Sequence, residues 1–276
     1  MHVAEPARRP WAEVAHRLPA ELAARVPRRY ERIGDVLLLR LPSELGPARR
    51  RIAKAYADVL QAKTVVADRG IHGPWRQPEV EVLVGDETET VHTEDGIRFR
   101  LDVARVMFSS GNLPERMRMG GVVRVGETVV DLFAGVGYFA LPMAVHGRAA
   151  RVVACEENPT AFRYLEENVR LNRAWAVEPR FGDCRQTAPS GVADRVVMGY
   201  LDAEEYLDVA MRAAKDECVL HYHESTPVEE VPRGPWSRVE STAKRAGFRP
   251  ELLAVHKIKS YAPRIRHIVL DVRLTR

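Results

Sequence analysis

Two glycines follow an acidic residue at the end of an apolar segment, in the sequence Asp131-Leu-Phe-Ala-Gly135-Val-Gly137-Tyr-Phe-Ala140. A glycine turn of this kind lets the backbone come close to a ligand, because no Cβ stands in the way. Dinucleotide-binding turns have a third glycine where this chain has Ala140. The pattern therefore predicts a ligand at this turn, and the preceding acid suits a cationic ligand without phosphates better than a dinucleotide.

Two further acids follow at the spacing of successive strand–helix units. Glu156 ends the next apolar segment, and Asp183, with Cys184 beside it, follows the region expected to contain the strand after that. In nucleotide-binding sheets a carboxylate at the position of Glu156 accepts hydrogen bonds from the ribose hydroxyls. Asp183 could accept one from an adenine amino group. Each acid alone could equally cap a loop and face water, but together with the glycine turn they favour S-adenosylmethionine as the ligand.

The sequence His221-Tyr-His223-Glu224 follows an apolar run and contains three candidates for a general base. The alternative is that these histidines are structural, as histidines within strands more often are, so the general base stays unassigned. The same pattern suggests metal binding, but no cluster that could supply a third ligand accompanies it. We therefore expect no metal.

The elements that must position these residues alternate between strand-like and helix-like segments. This alternation predicts an α/β fold with a mostly parallel sheet covered by helices. Asn158 and Pro159 are typical of a helix start, and Ser237 with Glu240 predicts a capping box that opens a helix ending near Gly247. Strands are predicted at residues 128–133, 151–155, 194–201, 218–223, 252–258 and 267–274.

The first part of the chain has a different texture. Strand-like segments at residues 36–41, 80–84, 88–93 and 97–101 surround a helix predicted at 47–60. We expect residues 1–108 to form a smaller α+β module and residues 109–276 to form the ligand-binding domain, with the boundary in the Ser-Ser-Gly-Asn sequence that follows Phe108.

Composition excludes several classes of protein. No apolar run approaches the length of a membrane span, and the first residues lack the apolar centre of a signal peptide, so we expect a cytoplasmic protein without membrane contact. The cysteines form no CxxC pair, which argues against disulfides. Residues 1–60 carry a net charge of +5 and residues 244–276 carry +7, around a centre of −8. Basic ends beside an acidic centre favour a polyanionic partner.

Several segments resemble class I methyltransferase-fold enzymes that act on position 37 of tRNA. The similar segments are residues 102–116, 131–140, 154–159 and 257–267, and the resemblance covers about residues 30–276. It implies a Rossmann-like sheet with a smaller N-terminal module, and S-adenosylmethionine as the group donor. It also places Ser109 and Arg116 at the methionine end of the donor, Glu156 at the ribose, and Asp183 with Cys184 at the adenine.

Two activities occur among the proteins that the chain resembles. One enzyme transfers the 3-amino-3-carboxypropyl group of S-adenosylmethionine to C7 of 4-demethylwyosine in tRNA(Phe). The other methylates N1 of guanine 37 and typically has Asn-Leu-Pro or Asn-Pro-Pro after its fourth strand. This chain has Met198-Gly199-Tyr200-Leu201 there, which favours the first activity, with the methyltransferase as the alternative.

We expect the protein to bind the anticodon loop of tRNA(Phe), with contacts from the N-terminal module, and to be a monomer, although nothing in the sequence itself reveals the oligomeric state. Basic residues near both ends of the chain could neutralise phosphates, and four aromatic residues could stack on a base, although each could equally be ordinary packing. The basic residues are Arg28, Arg29, Arg49, Arg50, Arg51, Lys257, Lys259, Arg264 and Arg266, and the aromatic ones are Trp11, Trp75, Trp236 and Tyr261.

Overall fold

The computed structural model describes residues 9–73 and 75–276, so the first eight residues of the predicted N-terminal module lie outside the described part. The chain divides into two compact units. One contains the described residues up to Thr93 together with Arg100–Ser110, and the other contains Glu94–Phe99 and Gly111–Arg276.

The first unit is built on a four-stranded sheet with one long helix. The strands lie in the order β1-β2-β3-β4, and only β2 and β3 are parallel neighbours. Helix α3 buries Ile52 and Tyr56 against this sheet's apolar residues. The elements are α1 (Pro10–His16), α2 (Ala20–Ala23), β1 (Tyr30–Ile33), β2 (Val36–Leu39), α3 (Ala48–Leu60), β3 (Thr64–His72) and β4 (Gln77–Val84).

A two-stranded sheet follows, formed by β5 (Glu89–Glu94) and β6 (Ile97–Asp102). The turn between them places both Asp95 and Gly96 at positive φ, 48° and 76°. In β6, alternate residues Ile97, Phe99 and Leu101 are buried while Arg98 and Arg100 are exposed, as their alternation in the sequence predicts.

The second unit contains a seven-stranded sheet in the order β12-β13-β11-β10-β7-β8-β9. Strands β9, β8, β7, β10 and β11 are parallel, and β13 is antiparallel to both of its neighbours. This confirms the predicted α/β fold. The elements are α4 (Leu113–Val122), β7 (Thr128–Asp131), α5 (Ala140–Val145), β8 (Arg151–Glu156), α6 (Pro159–Leu171), β9 (Val177–Phe181), α7 (Cys184–Thr187), β10 (Ala193–Met198), α8 (Leu207–Ala213), β11 (Ala214–Pro227), α9 (Arg233–Arg245), β12 (Arg249–Ala262) and β13 (Ile265–Thr275).

Helix starts show one sequence prediction that is confirmed and one that is wrong. Asn158 caps α6, and its side chain accepts hydrogen bonds from the backbone N–H groups of Thr160 and Ala161. Ser237 does not cap a helix, because α9 already begins at Arg233 and Ser237 lies in its second turn. The Ser-Arg-Val-Glu spacing occurs inside the helix as well as at a start, which is why it misled.

Core packing uses all three cysteines as buried, unpaired thiols. Desolvation raises the pKa of Cys155 to about 11 and that of Cys218 to about 12, so both remain neutral packing groups.

In the described part of the chain, no helix combines the length and apolar character that crossing a membrane requires.

A buried polar network lies where α4 covers the antiparallel side of the sheet. Asp271 on β13 accepts hydrogen bonds from Arg118 at 2.7 Å and from His221 at 2.6 Å, and its Oδ2 lies 2.9 Å from Nε2 of His256. Arg118 also pairs with Glu115 at 2.7 Å, one turn earlier on α4. These partners hold the pKa of Asp271 well below its usual range, against the opposing effect of burial. The network therefore joins α4 to strands β11, β12 and β13.

Replacing Asp271 by alanine is expected to destabilise the second unit by about 3–5 kcal/mol, because Arg118 and His221 would keep their buried positions without their shared acceptor. Urea-induced unfolding followed by circular dichroism measures the loss. The control is Glu240→Ala, which removes an exposed pair with Lys244 and should change stability by about 1 kcal/mol or less. Equal shifts in the two variants would contradict the role given to Asp271.

Candidate active site

The order of the strands marks one position in the second unit where a crevice must form. Strand β7 lies between β8 and β10, so the chain leaves β7 towards one side of the sheet and later returns on its other side. Open parallel sheets bind ligands outside the carboxyl ends of the strands at such a switch point. Asp131 and Glu156 are the last residues of β7 and β8, so both lie at this edge.

The predicted glycine turn leaves β7 at this edge. Gly135 and Gly137 have φ values of 57° and 101°, a region that glycine enters without strain. A Cβ on Gly137 would lie 2.8 Å from the Cδ1 atom of Leu141. The side-chain amide of buried Asn168 donates to the carbonyl of Val136 at 3.0 Å, which ties the turn to α6. Both glycines are thus required by the backbone, as the sequence predicts.

Glu156 connects this turn to the neighbouring strand. Its Oε2 accepts a hydrogen bond from the Gly135 N–H at 2.7 Å, and its Oε1 accepts one from the Asn158 N–H at 2.8 Å. Burial of the carboxyl group raises the pKa of Glu156 to about 7, although these N–H donors act in the opposite direction. The side chain is only partly enclosed, so its remaining lone pairs can reach a ligand at the crevice.

Asp131 lies beneath the turn and is fully buried. Its Oδ1 accepts a hydrogen bond from the Phe133 N–H at 3.2 Å, while Oδ2 has no hydrogen-bond partner among the described residues. Desolvation raises the pKa of Asp131 to about 7. The structure therefore places Asp131 as a support under the turn, with one carboxylate oxygen that a ligand group could still use.

Asp183 and Cys184 form the start of a short helix on the other side of Glu156. Asp183 caps α7, accepting from the Arg185 backbone N–H and from Arg185 Nε, both at 2.8 Å. The Arg185 guanidinium holds the pKa of Asp183 below its usual range. Cys184 is buried, which raises the pKa of its thiol to about 12. The Gly182 N–H donates to the Glu156 carbonyl at 2.9 Å, so this loop and Glu156 are adjacent.

The two residues expected at the methionine end of the donor belong to different units of the chain. Ser109 belongs to the first unit, before a short 3-10 turn, and Arg116 lies on α4 in the second. Arg116 is 3% exposed and makes a double contact with Glu94, from Nε at 2.7 Å and from Nη2 at 2.8 Å. Its expected role of holding a carboxylate stays a prediction, and that role requires the guanidinium to share or leave Glu94.

The three candidate bases lie inside β11, which contains the predicted strand 218–223 and extends beyond it at both ends. Arg195 can only donate its hydrogen bond to His221 Nε2, at 2.6 Å, so His221 is neutral and carries its proton on Nδ1, facing Asp271. Desolvation lowers the pKa of His221, and it lowers that of His223 well below the usual value. Glu224 is paired with Arg238. A catalytic role for any of the three stays a prediction.

His223 differs from the other two because its Nε2 lies beyond hydrogen-bonding distance of its acidic neighbour, at 3.8 Å from Oε1 of Glu115. Its Nδ1 lies 3.1 Å from His267 Nε2, whereas its buried Nε2 has no hydrogen-bond partner among the residues described. Its ring centroid is 5.1 Å from that of Phe139, the residue that precedes α5. His223 thus lies under the end of the glycine turn, covered by Phe139.

Sequence reasoning did not identify the aromatic group at the same edge. The ring of Phe133 lies 5.3 Å from that of Tyr200 and 5.0 Å from that of Tyr206, measured between centroids. Phe133 follows β7 and Tyr200 follows β10, so an aromatic residue just past each strand end was the available signal. These rings form a tilted, edge-to-face aromatic cluster at the crevice, and its ring faces can contact a planar base.

Gly199 explains why the segment after β10 has a small residue. A Cβ on Gly199 would lie 2.7 Å from the ring of Phe139, so any side chain there must displace that ring.

In the described residues, no group of three or more His, Cys, Asp or Glu side chains is arranged to hold a metal ion.

The edge of the sheet thus offers a glycine turn, a partly enclosed carboxylate between two strand ends, a second acid at a helix start, and aromatic rings. A ribose fits beside Glu156, because a carboxylate with free lone pairs accepts from both hydroxyls. The turn carries one glycine pair and buried carboxylates instead of phosphate-binding side chains, which suits a cationic nucleoside. The geometry of the residues therefore fits S-adenosylmethionine.

Comparison with known families divides the chain into two matching segments. Residues 90–251 match the TRM5/TYW2 methyltransferase domain, and residues 13–88 match the TYW2 N-terminal domain. The first match covers more than half of the chain.

Individual relatives agree with this division. The chain is 45% identical over 262 residues to tRNA(Phe) (4-demethylwyosine(37)-C(7)) aminocarboxypropyltransferase of Pyrococcus horikoshii, covering 93% of each protein. It superposes on the crystal structure of P. horikoshii TYW2 in complex with MeSAdo with a TM-score of 0.86 and 42% identity, over 96% of this chain and 98% of that one. For M. jannaschii TYW2 in complex with AdoMet these values are 0.75 and 36%, over 90% and 100%. The resemblance and the fold class expected from the sequence are confirmed, and the chain belongs to the TRM5/TYW2 family of methyltransferase-fold proteins.

Proposed function

We propose that this protein transfers the 3-amino-3-carboxypropyl group of S-adenosylmethionine to C7 of 4-demethylwyosine at position 37 of tRNA(Phe). The observation that carries the proposal is the match along 93% of both chains to a relative of that name. The N-terminal match supports the same choice, because residues 13–88 match the domain of the TYW2 type, whereas the catalytic match is shared by both types.

The chemistry that the bound donor supplies is a positive sulfur joined to three carbons, each open to attack. In the proposed reaction C7 of the base forms a bond to the γ-carbon, the bond from sulfur to that carbon breaks, and its electron pair stays on sulfur in neutral methylthioadenosine. The C7 proton then passes to a base or to water. Because any of the three carbons can react, the residues of the site choose the product by position.

Positioning is the role that the site residues can perform. Glu156 is fixed by two backbone N–H groups, so it presents its remaining lone pairs to the ribose hydroxyls in one orientation. Asp183 lies at the adjoining loop, where it would accept from the adenine amino group. With the nucleoside held at these two points, the glycine turn would direct the methionine arm, and the roles of Ser109 and Arg116 at the arm's end stay predictions.

The aromatic cluster beside the turn would receive the base of the tRNA. Phe133, Tyr200 and Tyr206 form an aromatic surface at the end of β7 and β10, which suits stacking with a base that leaves the anticodon loop. Of the three candidate bases, His223 has a ring nitrogen, Nε2, that makes no hydrogen bond among the described residues; it could accept a proton if Phe139 moves aside, although burial lowers its pKa. Contacts from the N-terminal module to tRNA, a monomeric state and a cytoplasmic location all stay predictions.

Transfer experiments with S-adenosylmethionine labelled in different carbons distinguish this activity from N1-methylation of guanine 37. With S-adenosylmethionine labelled in the carboxypropyl carbons and tRNA(Phe) carrying 4-demethylwyosine, we expect label in the tRNA and release of methylthioadenosine. With methyl-labelled donor we expect none in the tRNA. The control is a transcript with unmodified guanine 37, which should accept neither label. Methyl label in that transcript would instead establish the methyltransferase.

Replacing Glu156 by glutamine is expected to weaken donor binding roughly 10- to 100-fold, because hydrogen bonds to a charged acceptor contribute about 1.5–3 kcal/mol each. Titration calorimetry with S-adenosylmethionine measures the change. Glu166→Gln, the same substitution on the helix that follows, is the control and should bind as the parent protein does, because Glu166 lies on the surface, where it pairs with Arg170 at 4.0 Å. Parent-like affinity in Glu156→Gln would remove the ribose contact from the proposal.

Nucleoside binding should also weaken as the pH falls from 8 to 6. The pKa of Glu156 is raised to about 7, so the acceptor carboxylate is increasingly protonated below that pH, and affinity should fall by up to tenfold per pH unit. Methylthioadenosine is the suitable probe, because it lacks the amino acid arm and does not itself titrate in this range. The dependence should become shallower in Glu156→Gln, and a flat profile in the parent protein would contradict the assignment.

A further inference from the structure

The hairpin formed by β12 and β13 carries charge of a single sign. Residues 252–270 contain four Lys or Arg residues and no Asp or Glu. All four, Lys257, Lys259, Arg264 and Arg266, lie between residues 257 and 266 around the turn, and the exposed ring of Tyr261 lies among them. In a protein whose centre is acidic, this is a local concentration of positive charge.

The hairpin extends from the edge that holds the crevice. Strand β11 runs level with β10 only as far as Tyr222, which pairs with Met198, the last residue of β10. It then continues for five residues to Pro227, which pairs with Ile265 beside the turn. At about 3.3 Å per residue the hairpin projects roughly 16 Å beyond the carboxyl end of β10. The basic turn therefore lies past the carboxyl ends of the strands and not at their amino ends.

The base of the hairpin is firmly held while the charges near its tip are only loosely paired. At the base, β11 and β13 pair without interruption from Glu217 to Pro227, and His223 and His267 face each other across them. Near the tip, Arg264 lies 3.4 Å from Glu229, with side chains 80% and 58% exposed. Such exposed pairs contribute little and exchange readily for another anion.

Lysines on an exposed outer strand have another explanation that must be separated from binding. Strand β12 is the edge of the sheet, and edge strands use lysines and bulges to prevent pairing with another chain. The register of β12 against β13 shifts three times, including between Lys257 and Lys259. Protection of the edge explains lysines along β12, but it does not explain the arginines at the turn and on β13, which is an inner strand.

We propose that the tip of the β12–β13 hairpin, residues 257–266, is an arm that binds phosphates of the RNA strand next to the nucleotide being modified. The inference rests on the proposed function, since it concerns the same substrate at the same edge of the sheet. A rigid basic arm beside the crevice would fix the RNA backbone while one base enters, which sets register without reading sequence. Tyr261 adds a ring on which a neighbouring base can stack.

A double variant, Lys257→Gln with Arg264→Asn, tests this arm in the full-length protein. Asparagine is chosen because Arg264 has a φ of 62°, a conformation that asparagine tolerates. The matched control is Arg124→Gln with Arg173→Asn. Both arginines are exposed, Arg173 also has positive φ (53°), and they precede β7 and β9 at the amino edge of the sheet. Each variant loses two positive charges.

Binding of tRNA(Phe) is measured by filter binding between about 50 and 200 mM salt. For the arm variant we expect several-fold weaker binding and a slope of log K against log[salt] that is smaller in magnitude by about 1.4 to 1.8, since each of the two lost phosphate contacts removes about 0.7–0.9. The KM for tRNA should rise while methylthioadenosine binds as in the parent protein. The control variant should keep the parent slope.

An unchanged slope in the arm variant would overturn the inference, as would equal reductions in both variants. Self-association of the arm variant in sedimentation, with an unchanged salt slope for its monomer, would show edge protection instead and would also overturn it. If the parent protein transfers label to tRNA while the arm variant has the salt slope of the parent, the inference about the arm is wrong and the proposed function still stands. Failure of the parent protein to bind tRNA would remove the proposed function as well.

Discussion

The hydrogen bond from the Gly135 N–H to the Glu156 carboxylate joins the two strand ends on which the whole site depends. It fixes the glycine turn that leaves β7 relative to the last residue of β8, and Asn158 adds a second donor to the same carboxylate. Since Asp131 is buried directly below, two carboxyl groups lie in a poorly hydrated edge, and the pKa of each is raised to about 7. Such a place disfavours a bound anion and favours a ligand that brings positive charge and hydroxyl donors.

The titratable groups on the antiparallel side of the sheet perform a different task. His221, Arg195, Asp271 and Arg118 are committed to one another by short hydrogen bonds, so their protons and charges maintain packing. Their arrangement joins α4 to the strands at the far side of the crevice. A buried pair broken on one side is costly, because the remaining charge has no water to replace its partner. These contacts give His221 a structural role, while a catalytic role for His221, His223 or Glu224 stays a prediction.

Charge is distributed unevenly along the chain, with acidic residues near the crevice and basic residues in the terminal segments. The acidic centre of the sequence contains the strands whose ends surround the crevice, whereas positive charge is concentrated in the terminal segments. The β12–β13 hairpin brings one of these basic segments to the carboxyl edge, because β11 and β13 remain paired well beyond the end of β10. A polyanion can therefore be held beside the crevice while the crevice itself stays suited to a cation, and repulsion between phosphates and the buried carboxylates is avoided by distance.

Local patterns in the sequence were sufficient to predict the fold class and the position of the crevice. The alternation of strands and helices, the glycine pair after Asp131 and the acid that ends the next strand all follow from backbone geometry over a few residues, so they determined the fold class and the position of the crevice. Short-range rules failed where one pattern fits two contexts, as with Ser237, which lies inside a helix. Tertiary structure alone decided the partners of side chains distant in sequence: Arg116 with Glu94, His221 with Asp271, and Phe133 with Tyr200. The physical reason is that a side chain's type limits which partners it can have, whereas only the packing of whole elements decides which of them lies within hydrogen-bonding distance.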